Sequence, residues 1–266
     1  MVKPFRFGVV APLRSEIPAW RDQVCRLADL GYSTVLIPDV PRLQPAPGPM
    51  VATAAALTGL RVGTWVYASP LRPAWMTAWE AHTLSVLSEG RFEFGIGTGR
   101  PGIEDEVAAL GLPVVAPGER LAQVRATVTA LRELDGAERR TPVVMAVRGP
   151  RACALAAEVA DTVTFAQRPE ESRAEIARLA LEFRSGGQEL AQHVPIVGGT
   201  VAPFMAPPTT DVAALPVDSL AVLAADPVAA VEEIRRRREE IGFSYFVVGA
   251  HVAEAFAPVV AELAGR

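Results

Sequence analysis

The chain has 266 residues, of which 50% are hydrophobic and 21% charged, so it carries enough apolar side chain for one large core. Its formal net charge of −4 at pH 7 argues against a general nucleic-acid binder, because such proteins usually carry a basic surface. No stretch approaches the roughly 20 consecutive apolar residues that a membrane-spanning helix needs.

The ends and the cysteines indicate no special compartment or metal chemistry. The opening segment MVKPFRFGVV lacks the long apolar region and the cleavage site of a secretion signal, so we expect a cytoplasmic protein. Cys25 and Cys153 both lie in apolar helical contexts, and we expect two reduced core thiols. No cluster of His, Cys, Asp or Glu has metal-ligand spacing, so we expect no metal.

Short apolar runs alternate with segments of helical periodicity along the whole chain. The runs lie at 5–10, 34–38, 61–67, 92–97, 142–147, 162–166, 194–201 and 244–249. They are nearly continuous in apolar residues, as strands covered on both faces require. Eight strand–helix pairs in a chain near the usual length of about 250 residues predict an α/β fold, a compact (β/α)₈ TIM barrel that spans 1–266 as one domain.

The segment 97–102, GTGRPG, matches the G-x-G-x-x-G pattern of dinucleotide-binding Rossmann folds. In that fold a helix begins inside the pattern, whereas here the helical periodicity does not resume until 117–135. We therefore reject the Rossmann interpretation in favour of the barrel.

Residues 61–100 carry a family resemblance. A strand with a G-T-x-V run, a helix that closes on LSEGRF and a strand end GIGTG resemble the signature stretch of the bacterial luciferase-like oxidoreductases. This superfamily contains flavin-dependent alkanal monooxygenases and many deazaflavin-dependent enzymes. The similarity continues in order through 117–134, 149–163 and 242–266. The first and last of these segments are most similar to members that use the deazaflavin coenzyme F420.

The resemblance implies an oxidoreductase that binds coenzyme F420 non-covalently and transfers a hydride to or from a small organic substrate. Two alternatives stay open: an FMN-dependent monooxygenase of the same superfamily, and a barrel that has lost redox activity and acts as a ligand-binding or non-redox protein. The second arises because the connection 135–141, DGAERRT, between the fourth helix and the fifth strand is shorter than in relatives. The expected partner is a small-molecule substrate, not a nucleic acid or a membrane, and a homodimer is left open.

Three segments are candidate cofactor contacts. Members of the family often carry a non-proline cis peptide bond in the third strand, behind the cofactor ring; by alignment it falls at Trp65–Val66 or Val66–Tyr67. Gly95, Gly97 and Gly99, with Thr98 between them, alternate at the end of the fourth strand. Missing side chains would let a flat ring approach the backbone, or would only relieve crowding at the barrel top.

The third segment, Arg148, Gly149, Pro150 and Arg151, begins a helix directly after the fifth strand. A helix N-terminus presents unpaired N–H groups and a partial positive charge, so it predicts a site for the cofactor phosphate. The alternative is an ordinary helix start with exposed arginines.

The remaining candidates are single polar residues at strand ends. Asp39 ends the second strand, where family members often place a following His but this chain has Val40. It is the catalytic candidate, as a group that orients substrate or as an acid/base, unless it only caps the next loop. His251 follows the eighth strand on the same side and is a candidate substrate contact. We expect His193, just before the 194–201 run, to lie on the opposite, structural side, and Glu93 to pair with a barrel Arg or Lys.

Overall fold

The computed structural model describes residues 3–183, 186–207 and 209–266. The strands are β1 Arg6–Val10, β2 Thr34–Ile37, β3 Arg61–Thr64, β4 Tyr67–Ala68, β5 Phe92–Gly97, β6 Val143–Val147, β7 Thr162–Phe165, β8 Glu189–His193, β9 Ile196–Val197, β10 Thr200–Val201, β11 Val222–Leu223 and β12 Phe243–Gly249. The main sheet runs β3-β2-β1-β12-β8-β7-β6-β5, all parallel, and a β3–β5 pairing closes it into the predicted eight-stranded barrel. The short strand β4 continues the third barrel strand and pairs with β5.

Helices lie between the barrel strands. They are α1 Ile17–Asp29, α2 Pro47–Leu57, α3 Ala74–Leu87, α4 Ile103–Ala109, α5 Pro117–Asp135, α6 Pro150–Val159, α7 Arg173–Ala180, α8 Pro227–Glu240 and α9 Ala253–Leu263. Four begin with proline, whose missing N–H and fixed φ suit the first helical position. Over the described part of the chain, none of these helices has the length and apolar character needed to cross a membrane.

Two layers of side chains hold the barrel together. The larger core lies between strands and helices and includes Trp20, Val24 and Leu27, the face predicted for the first helix. Inside the barrel, at the N-terminal ends of the strands, Arg6 and Arg61 donate hydrogen bonds to Glu93. The prediction of a Glu93–arginine pair is thereby confirmed.

The seventh barrel strand differs from the prediction. It is β8 at Glu189–His193, whereas the predicted run 194–201 forms β9 and β10, joined through Gly198 (φ +59°) and Gly199 (φ +84°). With β11 they make a separate three-stranded sheet. The prediction was wrong because ELAQH reads as polar: Glu189 faces the barrel interior, where Arg6 donates to it.

Two smaller expectations also need correction. The helix α4 begins directly after the glycine-rich segment 97–102, where the sequence showed no helical periodicity; the closed barrel, rather than a missing helix, is what excludes the Rossmann fold. Cys153 is buried as expected, but Cys25 is exposed.

Candidate active site at the barrel mouth

The C-terminal ends of the barrel strands form the mouth of the barrel. Side chains alternate between the two faces of each strand, and this alternation shows which residues point into the mouth. Val143, Met145 and Val147 pack in the outer core, so Ala146 faces inward, and the same alternation places Gly97, Thr164 and His193 inside. Ala146 is partly exposed although both its neighbours in the strand are buried. The mouth is therefore accessible beside β6.

The third barrel strand bends sharply at the mouth. The peptide bond between Trp65 and Val66 is cis, at the first of the two positions that the resemblance implied. A Cβ on Gly95 would lie 1.9 Å from the carbonyl oxygen of Thr64, and one on Gly97 would lie 3.2 Å from Cγ2 of Val66. Gly95 therefore accommodates the bent strand itself, whereas Gly97 leaves a shallow recess beside Val66.

The other members of the glycine-rich segment have separate surroundings. Thr98 and Gly99 are partly exposed at the mouth. Gly99 adopts φ +94°, and a Cβ there would lie 2.7 Å from Cγ1 of Ile103, the first residue of α4. This glycine is thus required by the turn into α4.

Asp39 lies at the mouth and is almost fully buried, with 6% of its surface exposed. Its Oδ2 accepts hydrogen bonds from Arg72 Nη1 (2.7 Å) and the Ala68 backbone N–H (3.0 Å), and its Oδ1 accepts from Arg72 Nη2 (3.0 Å). The carboxylate therefore joins the end of β2 to β4 and to the segment that follows it. The contact to the following loop is made by Gln44 instead, which donates to the Pro38 carbonyl.

Tyr67 extends this network. The Arg72 guanidinium lies 4.5 Å from the centre of the Tyr67 ring, and the Tyr67 hydroxyl donates to Glu80 Oε1 (3.0 Å). Burial, together with the charge of Glu80, raises the pKa of Tyr67 well above its ordinary value. The phenol therefore stays protonated and acts as a hydrogen-bond donor within the wall of the site.

The start of α6 has the features of an anion site. Gly149 adopts φ +91° with open space where a Cβ would lie, and Pro150 is the first helical residue. The N–H groups of the first helical turn have no partner within the helix. Arg148 is paired with Glu171 (2.7 Å), whereas Arg151 is exposed and lines a groove between α5 and α6.

His251 lies in the short 3₁₀ turn after β12, where it is exposed and hydrogen-bonds to the backbone of Thr200. It therefore stands beside the small β9–β11 sheet rather than inside the barrel. Its position on the C-terminal side of the barrel agrees with the sequence-based expectation.

The structure adds two mouth residues that the sequence analysis did not select. His193 ends β8 and so lies on the same side as Asp39, opposite to the position predicted for it. Its Nδ1 accepts a hydrogen bond from Trp65 Nε1 (3.3 Å), and its Nε2 donates to the Met205 carbonyl (2.5 Å). Burial lowers the pKa of His193, consistent with the neutral tautomer that these two bonds define.

Thr164 is the second addition. It is 3% exposed, and its hydroxyl has no hydrogen-bond partner. Thr164 is the register partner of Ala146 on the neighbouring strand, so the unpaired hydroxyl lies beside the accessible part of the mouth. A polar residue at an inward position of the apolar run 162–166 is the sequence signal that marks it.

In the described ranges, no group of three or more His, Cys, Asp or Glu side chains is arranged to hold a metal ion. The polar groups at the mouth are instead hydrogen-bond donors, an ion pair and a helix N-terminus. Such a set can hold an organic ligand that carries a flat ring and an anionic group.

Comparison with solved structures shows the same architecture in several enzymes. An F420-dependent secondary alcohol dehydrogenase, solved with an F420–acetone adduct, is 18% identical and aligns over 97% of this chain and 98% of its own, with a TM-score of 0.73. The F420-dependent tetrahydromethanopterin reductase from Methanopyrus kandleri is 15% identical over 99% of both chains (TM-score 0.73). A riboflavin lyase, RcaE, solved with modified FMN and riboflavin, is 14% identical over 98% of this chain and 92% of its own (TM-score 0.71).

These identities are low, so the structural similarities show the fold alone. No curated protein sequence matches the chain significantly. The family model described as luciferase-like monooxygenase matches residues 5–214, which is most of the chain and includes the bent third strand, the glycine-rich segment and the start of α6. The protein is therefore an oxidoreductase with a (β/α)₈ barrel, and it belongs to the luciferase-like monooxygenase family.

Proposed function

We propose that the protein binds the deazaflavin coenzyme F420 non-covalently at the barrel mouth and transfers a hydride to or from a small organic substrate. The observation that carries this proposal is that Gly97 has no side chain between Val66 of the bent third strand and Ala146, and that Ala146 is partly exposed on β6, the strand that precedes α6. A tricyclic ring needs a flat, uncrowded surface of this kind, with an anion site at one end.

The residues at the mouth fit such a cofactor. The ring would lie against Val66 and Gly97, with Trp65, Thr98 and Gly99 at its border, while the buried hydroxyl of Thr164 supplies a donor that no protein group uses. Gly95 and Tyr67 would act indirectly, because they shape the bent strand behind the ring.

The phosphate would bind the first turn of α6. Gly149 leaves the approach open, and the N–H groups of Arg151 and Ala152 lie in the first turn of that helix. Pro150 fixes the first helical residue without contributing a donor. Arg151 adds charge at the helix start, and Arg148 would contribute after exchanging its partner Glu171 for the ligand.

A bound deazaflavin supplies the hydride chemistry, and the protein supplies binding, orientation and a water-poor surface. We assign Asp39 to orientation of the substrate through Arg72, because both of its oxygens are engaged in that ion pair. Arg72 presents its charge in a fixed direction as a result, and a carbonyl or hydroxyl oxygen of the substrate is a suitable partner. His251 would contact the substrate from the rim formed by the loop after β12.

FMN is the alternative cofactor, because FMN and F420 both carry a tricyclic ring and a phosphate. The structural similarity to RcaE, solved with modified FMN, favours including it in the test. With FMN bound, the protein would be an FMN-dependent monooxygenase. The barrel mouth suits the ring of either cofactor.

The test is a titration of purified protein with each cofactor, followed by absorbance and by fluorescence of the ring. We expect saturable binding of F420 that is at least tenfold tighter than that of FMN. Tighter binding of FMN would support the monooxygenase instead. If neither cofactor binds, the proposal is wrong and the barrel acts as a ligand-binding or non-redox protein.

A further inference from the structure

The two ring nitrogens of His193 bond to two different parts of the chain. One nitrogen bonds to Trp65 in the third barrel strand, and the other bonds to Met205 in the segment that follows β10. Its imidazole also lies nearly parallel to the Trp65 indole, with an interplanar angle of 10° and ring centres 6.5 Å apart. One neutral imidazole thus accepts from Trp65 at Nδ1 and donates to Met205 at Nε2.

Residues 202–206, which we call the mouth segment, lie over one side of the barrel mouth. Ala202 and Met205 belong to a buried cluster with the inner residues Val10, Ala191 and Val247. A Cβ on Gly249 would come within 2.7 Å of Cβ of Ala202, so the segment lies directly against the end of β12. The mouth segment therefore covers the side of β8 and β12, whereas Ala146 on β6 is partly exposed.

Trp65 stands at the boundary between these two sides. Its indole is partly exposed and makes an edge contact with the ring of Tyr245, at a centre-to-centre distance of 6.3 Å. Ring packing of this kind permits more than one indole orientation, whereas a hydrogen bond from Nε1 selects one. The bond to His193 is thus the directional contact that sets the indole.

We infer that His193 is a positioning residue that shapes the substrate side of the mouth: it holds the Trp65 indole in one orientation and ties the mouth segment over the barrel. This inference rests on the proposed function for its catalytic meaning, because Trp65 borders the surface assigned to the cofactor ring. Its structural content, the two separate bonds of one imidazole, is testable without any cofactor.

Two replacements separate the two bonds. His193→Asn places a carbonyl oxygen near the position of Nδ1, so it retains an acceptor for Trp65 but loses the bond to Met205. His193→Gln extends its amide toward the position of Nε2, so it retains a donor for Met205 but loses the acceptor for Trp65. His82→Gln is the matched control, because His82 bonds to Asp135 on α5, away from the mouth.

Each bond has its own readout. The orientation of Trp65 is followed by ¹⁹F NMR of protein labelled with 5-fluorotryptophan, with the Trp65 signal assigned by Trp65→Phe. The mouth segment is followed by amide hydrogen exchange of peptides that cover 200–207. A neutral hydrogen bond contributes about 1 kcal/mol, so its loss should speed exchange of the segment roughly fivefold to tenfold.

We expect a reciprocal result. His193→Gln shifts or broadens the Trp65 signal and leaves exchange of the mouth segment slow, whereas His193→Asn preserves the signal and speeds exchange. Trp65→Phe should leave exchange unchanged, and His82→Gln should leave both readouts unchanged. If the two His193 variants change both readouts alike, or change neither, His193 serves only as packing and the inference is wrong.

Titration with F420 distinguishes this inference from the proposed function. We expect His193→Asn to bind F420 within about threefold of the parent, because it keeps the bond that orients Trp65 at the border of the proposed ring surface and loses only the bond to Met205. Failure of the parent protein to bind F420 would overturn the proposed function and leave the reciprocal NMR and exchange result standing. A loss of F420 binding above tenfold in both variants would place His193 in the cofactor site and overturn its assignment to the substrate side.

Discussion

Asp39 and Arg72 form a two-pronged ion pair at the barrel mouth, with N–O distances of 2.7 and 3.0 Å and only 1% of the Asp39 side chain exposed. The parallel geometry matches the planar guanidinium to the carboxylate, which is the strongest arrangement of these two groups. The pair fixes the direction in which Arg72 presents its remaining N–H groups.

The first prediction concerns this pair. Asp39→Asn should leave F420 affinity nearly unchanged but lower turnover, because the proposed function places Asp39 on the substrate side and not at the phosphate. Removing one charge of a buried pair should also lower the free energy of unfolding by about 3 kcal/mol. Urea unfolding and cofactor titration check the two parts, and loss of F420 binding with normal turnover would contradict the assignment.

The second prediction concerns the phosphate. Arg151→Ala should weaken F420 binding roughly tenfold to a hundredfold at low salt, because an arginine–phosphate hydrogen bond contributes about 1.5–3 kcal/mol. Arg151→Lys should recover only part of the lost F420 affinity, since lysine lacks the planar guanidinium that can donate two parallel hydrogen bonds to a phosphate. Because Arg151 is exposed, the difference should shrink as salt rises.

Arg125→Ala is the control, because Arg125 lines the same α5–α6 groove but lies away from the helix start and pairs with Glu158. It should bind F420 as the parent does. Gly149→Ala tests the backbone part: alanine is strained at φ +91°, so binding should weaken as the turn distorts. If both Arg151→Ala and Gly149→Ala bind F420 as tightly as the parent, the cofactor phosphate does not bind at the start of α6.

The third prediction concerns Gly95. A methyl group there would lie 1.9 Å from the backbone oxygen of Thr64, which cannot rotate away, so Gly95→Ala should destabilise the barrel by about 3 kcal/mol or more. Gly118→Ala, in α5 with nothing within 4 Å of the added methyl, should be neutral or stabilising by up to about 1 kcal/mol. Thermal unfolding of the two variants compares them directly, and equal stability would show that the bent third strand can move.

The fourth prediction concerns the short connection between α5 and β6. Asp135 ends α5 and accepts hydrogen bonds from His82 Nδ1 (2.9 Å), the Thr141 N–H (2.8 Å) and the Thr141 hydroxyl (3.2 Å). Burial alone would raise the pKa of Asp135, but these bonds outweigh it and hold the pKa below its ordinary value. A carboxylate with a lowered pKa stabilises the fold above its ordinary pKa, and that contribution disappears as pH falls through the lowered value.

Asp135→Asn should therefore lower the free energy of unfolding by about 2 kcal/mol at pH 7, and the difference from the parent should shrink as the pH approaches 3. Urea unfolding at the two pH values measures it. Glu158→Gln, at an exposed ion pair, should change little at either pH. A difference for Asp135→Asn that grows toward acid pH would show that the carboxylate is not stabilised in its ionised form.

The sequence alone determined the barrel and most of its strand positions. A parallel strand covered on both faces must be apolar almost throughout, so β1, β5 and β12 were visible as short apolar runs. The same reasoning placed Asp39 and the start of α6 on the C-terminal side, because the end of a parallel strand fixes its side of the barrel. Family-like motifs in 61–100 marked the bent third strand.

The tertiary structure alone decided which of two neighbouring segments became the seventh barrel strand, and with it the position of His193. Glu189 is acceptable inside the barrel only because Arg6, far away in sequence, donates to it. The contacts of Asp39 and Gly95 were also decided by the tertiary structure. Asp39 pairs with Arg72 from the segment that follows β4, and Thr64 occupies the space beside Gly95. Periodicity reports which side of an element is buried, whereas the partners of a buried polar group depend on long-range contacts that only the closed barrel creates.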